Sequence, residues 1–162
     1  MRIEWWILIS VYIVTAGLIF FIPKNKIRLA VVAFLFKQMI TFIIGLMVFE
    51  WGLLEYPVRL FASINRTSFT FEYFSFPMVC AVFNVWFPAH RTKLIQWGYY
   101  ASFSSVLVIM EVIIEKYTEL INYIHWEWYI SWLSICLSLF ISRLFCVWFF
   151  GKGRTKNPQG GI

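Results

Sequence analysis

The fold class this sequence predicts is an all-α polytopic membrane bundle of five transmembrane helices, its N-terminus outside and its C-terminus inside. Three observations predict it: the composition, five apolar runs of spanning length, and a one-sided distribution of charge. The 162 residues are 61% hydrophobic and 22% aromatic, with only 14% charged. A soluble domain needs more charge than this to cover its surface. The net charge of +6 does not point to nucleic acid, because the basic residues flank apolar runs and are placed to meet lipid headgroups.

A helix needs about 20 apolar residues to cross a hydrocarbon core of about 30 Å. Trp5 to Ile22 is the first such run, and Leu29 to Phe49 is the second. The third, Thr70 to Phe87, is the weakest, since it contains Glu72, Pro77 and Asn84, and a re-entrant hairpin is its rival. Leu94 to Ile114 and Trp128 to Phe150 complete the set. The first run is not expected to be a secretory signal: Arg2 and Glu4 precede it, Lys24, Lys26 and Arg28 follow it, and no small-residue cleavage site does.

Orientation follows from charge. With the N-terminus outside, Lys24, Lys26, Arg28, Arg91, Lys93, Lys152, Arg154 and Lys156 fall inside, and only Arg2, Arg59, Arg66 and Lys116 fall outside. That is the bias the positive-inside rule demands of short loops. The chain has no Asp, and all eight Glu residues map to the outer side or its boundary. Trp5, Trp6, Trp51, Trp97, Trp126, Trp128 and Trp148 cluster near span ends, as an interfacial aromatic belt would.

Between the spans, Glu55 to Phe69 mixes aromatic and basic residues and reads as an outer interfacial segment or an irregular loop. Asn65, Arg66 and Thr67 match a glycosylation sequon, a pattern that also arises often by chance. Residues 151–162 are Gly-rich and basic, and are expected to form a disordered cytoplasmic tail in reach of anionic lipid. Cys80, Cys136 and Cys146 lie inside apolar runs without CxxC spacing and read as small buried residues.

Ionisable side chains within spans are costly and are the first functional candidates. Lys37 lies about 12 to 14 Å into the second span, at about 1.5 Å per residue, and Arg143 lies at a similar depth in the fifth. Ala33, Lys37, Thr41 and Gly45 share one helix face; Ser131, Ser134, Ser138 and Ser142 share another. If these faces meet, Lys37 and Arg143, with Gln38 and Asn84 as further donors, would suit a lipid phosphate or a carboxylate. The competing reading has both cations snorkelling to the inner headgroups.

The outer carboxylates form the second candidate. Glu111, Glu115 and Glu119 follow at i+4 steps, with Glu50, Glu55, Glu72, His125 and Glu127 at similar depth. They read as a solvated rim or as a divalent-cation or proton-linked site, with Glu72 and Glu111 the most buried; whether any metal binds is left open. Gly98, Ser102 and Ser105 make a small-residue stripe that helix packing explains.

Catalysis has no comparable support. No GxSxG, HExxH or Walker pattern is present, and His90 and His125 fall on opposite sides of the membrane, so no haem, zinc or other cofactor is expected. The stretch SINRTSFTFEYFSFPMVCAVFNVWFP (Ser63 to Pro88), with KNKIR before it and the Trp-rich fifth span after it, resembles a family of small multi-span membrane proteins from spore-forming Bacillus and Clostridium relatives. The resemblance implies a bacterial plasma membrane and singles out Asn65, Arg66, Glu72, Pro77 and Asn84; it implies no activity. The expected function is a binding or assembly subunit that contacts lipid, another membrane protein or a second copy of itself. The alternative is a small transporter or channel with an inner anion site.

Overall fold

Apolar runs with few breakers and no water to satisfy the backbone leave helix as the only stable local structure, and the computed structural model is a helical bundle. It describes residues 3–61, 63 and 67–154. Helix α1 is Ile3–Gly17, tightening into a 3-10 turn over Leu18–Phe21; α2 is Ile27–Glu50. A seven-residue π-helix, Phe69–Ser75, feeds directly into α3, Phe76–Val85; α4 is Lys93–Tyr117 and α5 is Trp128–Arg154. Helix α5 thus carries on through the first four residues of the segment expected to be a disordered tail. The rest of that segment, and Asn65 and Arg66 of the sequon, lie outside the described residues.

Four helical stretches are long and apolar enough to cross a membrane: Ile3–Phe21, Lys24–Glu50, Lys93–Tyr117 and Trp128–Gly151. The third expected span is shorter, a helix of Phe69–Val85. Pro77 falls inside this helix without ending it. Lacking an N–H, it can bond neither the Tyr73 carbonyl in an α pattern nor the Glu72 carbonyl in a π pattern. Side chains of α2 serve both: Gln38 Nε2 donates to Tyr73 O at 3.0 Å, and Thr41 Oγ1 donates to Glu72 O at 2.8 Å.

These bonds also set direction. Lys26 Nζ donates to Val85 O at 2.7 Å, so α3 descends along α2 in the opposite sense. Helix α1 runs parallel to α3, with Tyr12 stacked on Phe74, Thr15 bonded to Ser75 and Trp86 Nε1 donating to Phe21 O. Helix α5 opposes α4, pairing Trp132 with Ser105 and Ser131 with Glu111. The odd helices therefore run one way and the even helices the other.

At one end the connections form a cap. Gly52, at φ 62°, stops α2: Gly52 N–H donates to Phe49 O and Leu53 N–H to Val48 O. That is the left-handed glycine closure which satisfies the last carbonyls of a helix. The chain then forms β1 (Leu54–Glu55), paired antiparallel with β2 (Asn122–Tyr123) from the α4–α5 connection. Beneath it Leu8, Val48, Leu54, Tyr56, Phe71 and Leu120 form an apolar cluster. Elsewhere small and polar residues share the interior with apolar ones, and large apolar side chains also cover the outside. Ala33, Cys80, Ser104 and Ser142 are fully buried, while Phe20, Leu94 and Ile13 stand out from the bundle, so the exterior is what a lipid phase accepts.

Candidate functional site

The small-residue face of α2 and the serine face of α5 do meet. Lys37 reaches across to Ser138, its ammonium donating to Ser138 Oγ, and is only 4% exposed. It stands at one side of a partly open cavity of about 100 Å³ lined by α2, the π-helix, α3, α4, α5 and the cap. Thr41, Tyr56, Glu72, Glu111, Ser131, Ser134 and Ser138 bring polar groups to it, but most of its surface is apolar, from side chains such as Val48, Phe76, Leu107 and Leu139. Lys37 and two of the outer carboxylates, Glu72 and Glu111, which the sequence suggests as parts of two sites, thus line one cavity.

Glu72 sits on the π-helix, where the wider winding and the missing Pro77 donor place it opposite Thr41 and Gly45. Its Oε1 accepts from Tyr56 Oη at 3.2 Å, while its Oε2 is buried with no hydrogen-bond partner. Gly45 is required here: a Cβ at that position would overlap the Glu72 carboxylate. Burial holds the Tyr56 phenol well above its ordinary value near 10, so it remains a donor to Glu72.

Glu111 is held from three elements. Tyr123 of β2 and Ser131 of α5 both donate to its Oε1, each at 2.8 Å, and Trp126 Nε1 donates to Ser131 Oγ at 2.7 Å. Trp126 is thereby turned inward, whereas Trp5, Trp6, Trp51, Trp97, Trp128 and Trp148 are exposed as belt residues would be. Burial pushes the Tyr123 phenol up as well, which keeps it a donor to Glu111.

The remaining candidates lie elsewhere. Arg143 is not in the cavity wall; its guanidinium lies 4.5 Å from the centre of the Phe87 ring. Gln38 spends its amide donor on Tyr73 O. Asn84 belongs to a second buried cluster, donating to Cys80 O at 3.0 Å and Ser142 Oγ at 3.4 Å. Glu50 is exposed at the end of α2 and Glu115 is half-buried on α4; neither lines the cavity. Gly98 and Ser102 are exposed, and Ser104 is the buried serine of α4. Among the described residues no group of three or more His, Cys, Asp or Glu is placed to hold a metal ion.

Tyr56, Tyr123 and Trp126 had no distinguishing signal in the sequence, because aromatic residues near span ends are indistinguishable from an interfacial belt. The π-helix had one, in Pro77 five residues after Glu72. Comparisons of the chain with protein-family models, curated protein sequences and solved structures find no match.

Proposed function

We propose that this chain is a five-pass protein of a bacterial plasma membrane, N-terminus outside and C-terminus cytoplasmic, that takes a small polar ligand into the Lys37–Glu72–Glu111 cavity from the outer side. The observation that carries this reading is the cavity itself: ionisable side chains from three helices, Lys37 and Glu72 buried and Glu111 half-buried, line one space. Such groups are expensive in a membrane interior, and a cluster built around a void fits a ligand site better than an inert core. Alternation of helix direction supports five crossings, and the gathering of the carboxylates toward the capped end supports the orientation. The multi-span family of spore-forming bacteria remains the lineage we favour, on the Ser63 to Pro88 stretch.

Thiol labelling tests this. Ser134 lines the cavity, so Ser134→Cys should react with a small membrane-impermeant thiosulfonate added outside intact cells, above the background of the parent with its three native cysteines. Labelling only from the cytoplasmic side, or none from either side, would defeat the reading.

A further inference from the structure

Helices α1 and α2 follow each other in sequence but pack mainly on other elements. Helix α1 packs on the π-helix and its terminal 3-10 turn on α3, while α2 packs on α3. A groove of about 340 Å³ is left where the end of α1, the start of α2 and α3 come together. Ile19 and Ile22 line it from the α1 side, and Val31, Phe34 and Leu35 from α2. Ala30 and Ala81 are its buried residues with the smallest side chains, so α2 and α3 approach closely and the groove is deep there. Every side chain along it is apolar, and Ile19, Ile27, Val31 and Leu35 remain about half exposed, so it opens to the surrounding hydrocarbon.

One end of this groove lies at a basic turn. Ile22 and Ile27 are joined through Pro23, Lys24, Asn25 and Lys26, and Arg28 follows. The turn is pinned to the end of α3: Lys26 Nζ donates to Val85 O at 2.7 Å and lies over the Trp86 ring, whose Nε1 donates to Phe21 O. Lys26 is therefore spent on the protein, while Lys24 and Arg28 stand exposed. No Asp or Glu occurs between residues 5 and 49, between 73 and 110 or after 127, so this end of the bundle offers neither cation an acidic side chain. An apolar groove that ends at two such cations matches an acyl chain that ends at a phosphate.

We infer that this groove seats one acyl chain of an anionic phospholipid whose phosphate is held by Lys24 and Arg28. A choline headgroup would bring its own cation to the basic turn, whereas a glycerol headgroup brings none, so charge favours phosphatidylglycerol over phosphatidylcholine. Bulk lipid covers the rest of the exterior without that pairing: Val106 and Ile109 are exposed on α4 about 20 Å or more along the helix from Lys93. The inference is independent of the cavity reading, since it uses neither Lys37 nor either buried carboxylate.

The test is photolabelling of the full chain in phosphatidylcholine nanodiscs containing a trace of phosphatidylglycerol with a diazirine in one acyl chain, followed by peptide mapping. Label should concentrate on 19–22, 30–35 and 78–81, and unlabelled phosphatidylglycerol should displace it at about tenfold lower mole fraction than added phosphatidylserine-free, choline-headed lipid. The double variant Lys24→Gln, Arg28→Gln should abolish that headgroup preference, and Val31→Trp, which fills the groove from its lip, should lower the groove label. All three side chains are exposed, so the variants keep the fold. Label spread as densely over Val106 and Ile109 as over the groove, equal displacement by both lipids, or a preference that survives the double variant would each overturn the proposal. Displacement by free glycerophosphoglycerol, which has the phosphate without the chains, would do so too.

Discussion

One stripe of serines on α5 enters two different environments. Ser131, Ser134 and Ser138 face the cavity with Lys37, Glu72 and Glu111. Ser142, one turn or about 6 Å further along the helix, closes onto Cys80 and Asn84, with Cys80 Sγ 3.1 Å from its hydroxyl. The second cluster is packed and holds no Glu, Lys or Arg; the Asn84 Nδ2 and the Cys80 thiol are hydrogen-bonded within it, while Asn84 Oδ1 is buried without a partner. The first holds formal charges around empty space. Identical residues on one helix face therefore close a packed contact at one level and line a cavity at the next, and the difference lies in what the opposing helices bring.

Substitutions can break that contrast, and the largest effect is expected at Gly45. Gly45→Leu forces a side chain into the Glu72 carboxylate and should cost about 3 kcal/mol, the upper range for overpacking, as a lowered unfolding midpoint in detergent. Gly98→Ala is the control: nothing lies within 4 Å of a Cβ there, so that midpoint should hold or rise. Next comes Gln38→Leu, which strips the side-chain donor from Tyr73 O. An unsatisfied buried carbonyl costs about 1–3 kcal/mol, and this variant should loosen the π-helix, read as faster amide exchange over 69–77.

Smaller effects belong to the packed end. Ser142→Ala removes one acceptor of Asn84 and Cys80 and should cost about 1 kcal/mol, without altering outside labelling of Ser134→Cys. Arg143→Met removes the cation stacked on Phe87 and should cost about 0.5–1 kcal/mol, the least of the series. A larger loss at Arg143 than at Gly45 would reverse the assignment of the two regions.

Much of this architecture could be read from residue order. Spanning length placed four long helices, and the seating of Lys37 against the serine face followed from i+4 spacing on two separate helices. The shortened third helix was visible only as a weakness, since Pro77, Glu72 and Asn84 signal trouble without saying how it is resolved. Its resolution needs Gln38 and Thr41, which are remote in sequence and count as ordinary span residues until the helices pack. For the same reason depth alone groups Lys37 with Arg143, whereas the bundle seats Lys37 on Ser138 in the cavity wall and leaves Arg143 over Phe87. Helix rotation decides that, and periodicity within one helix cannot report the rotation of its neighbours.

The central claim is that Lys37, Glu72 and Glu111 line one cavity instead of being bonded to one another. An experimental map of the chain in native lipid, at a resolution that shows ordered water, tests it most directly. The account predicts discrete density between the three side chains, with Lys37 on Ser138 and Tyr56 on Glu72. A collapsed cavity, with the Lys37 ammonium paired directly to either carboxylate and no density between them, would contradict it.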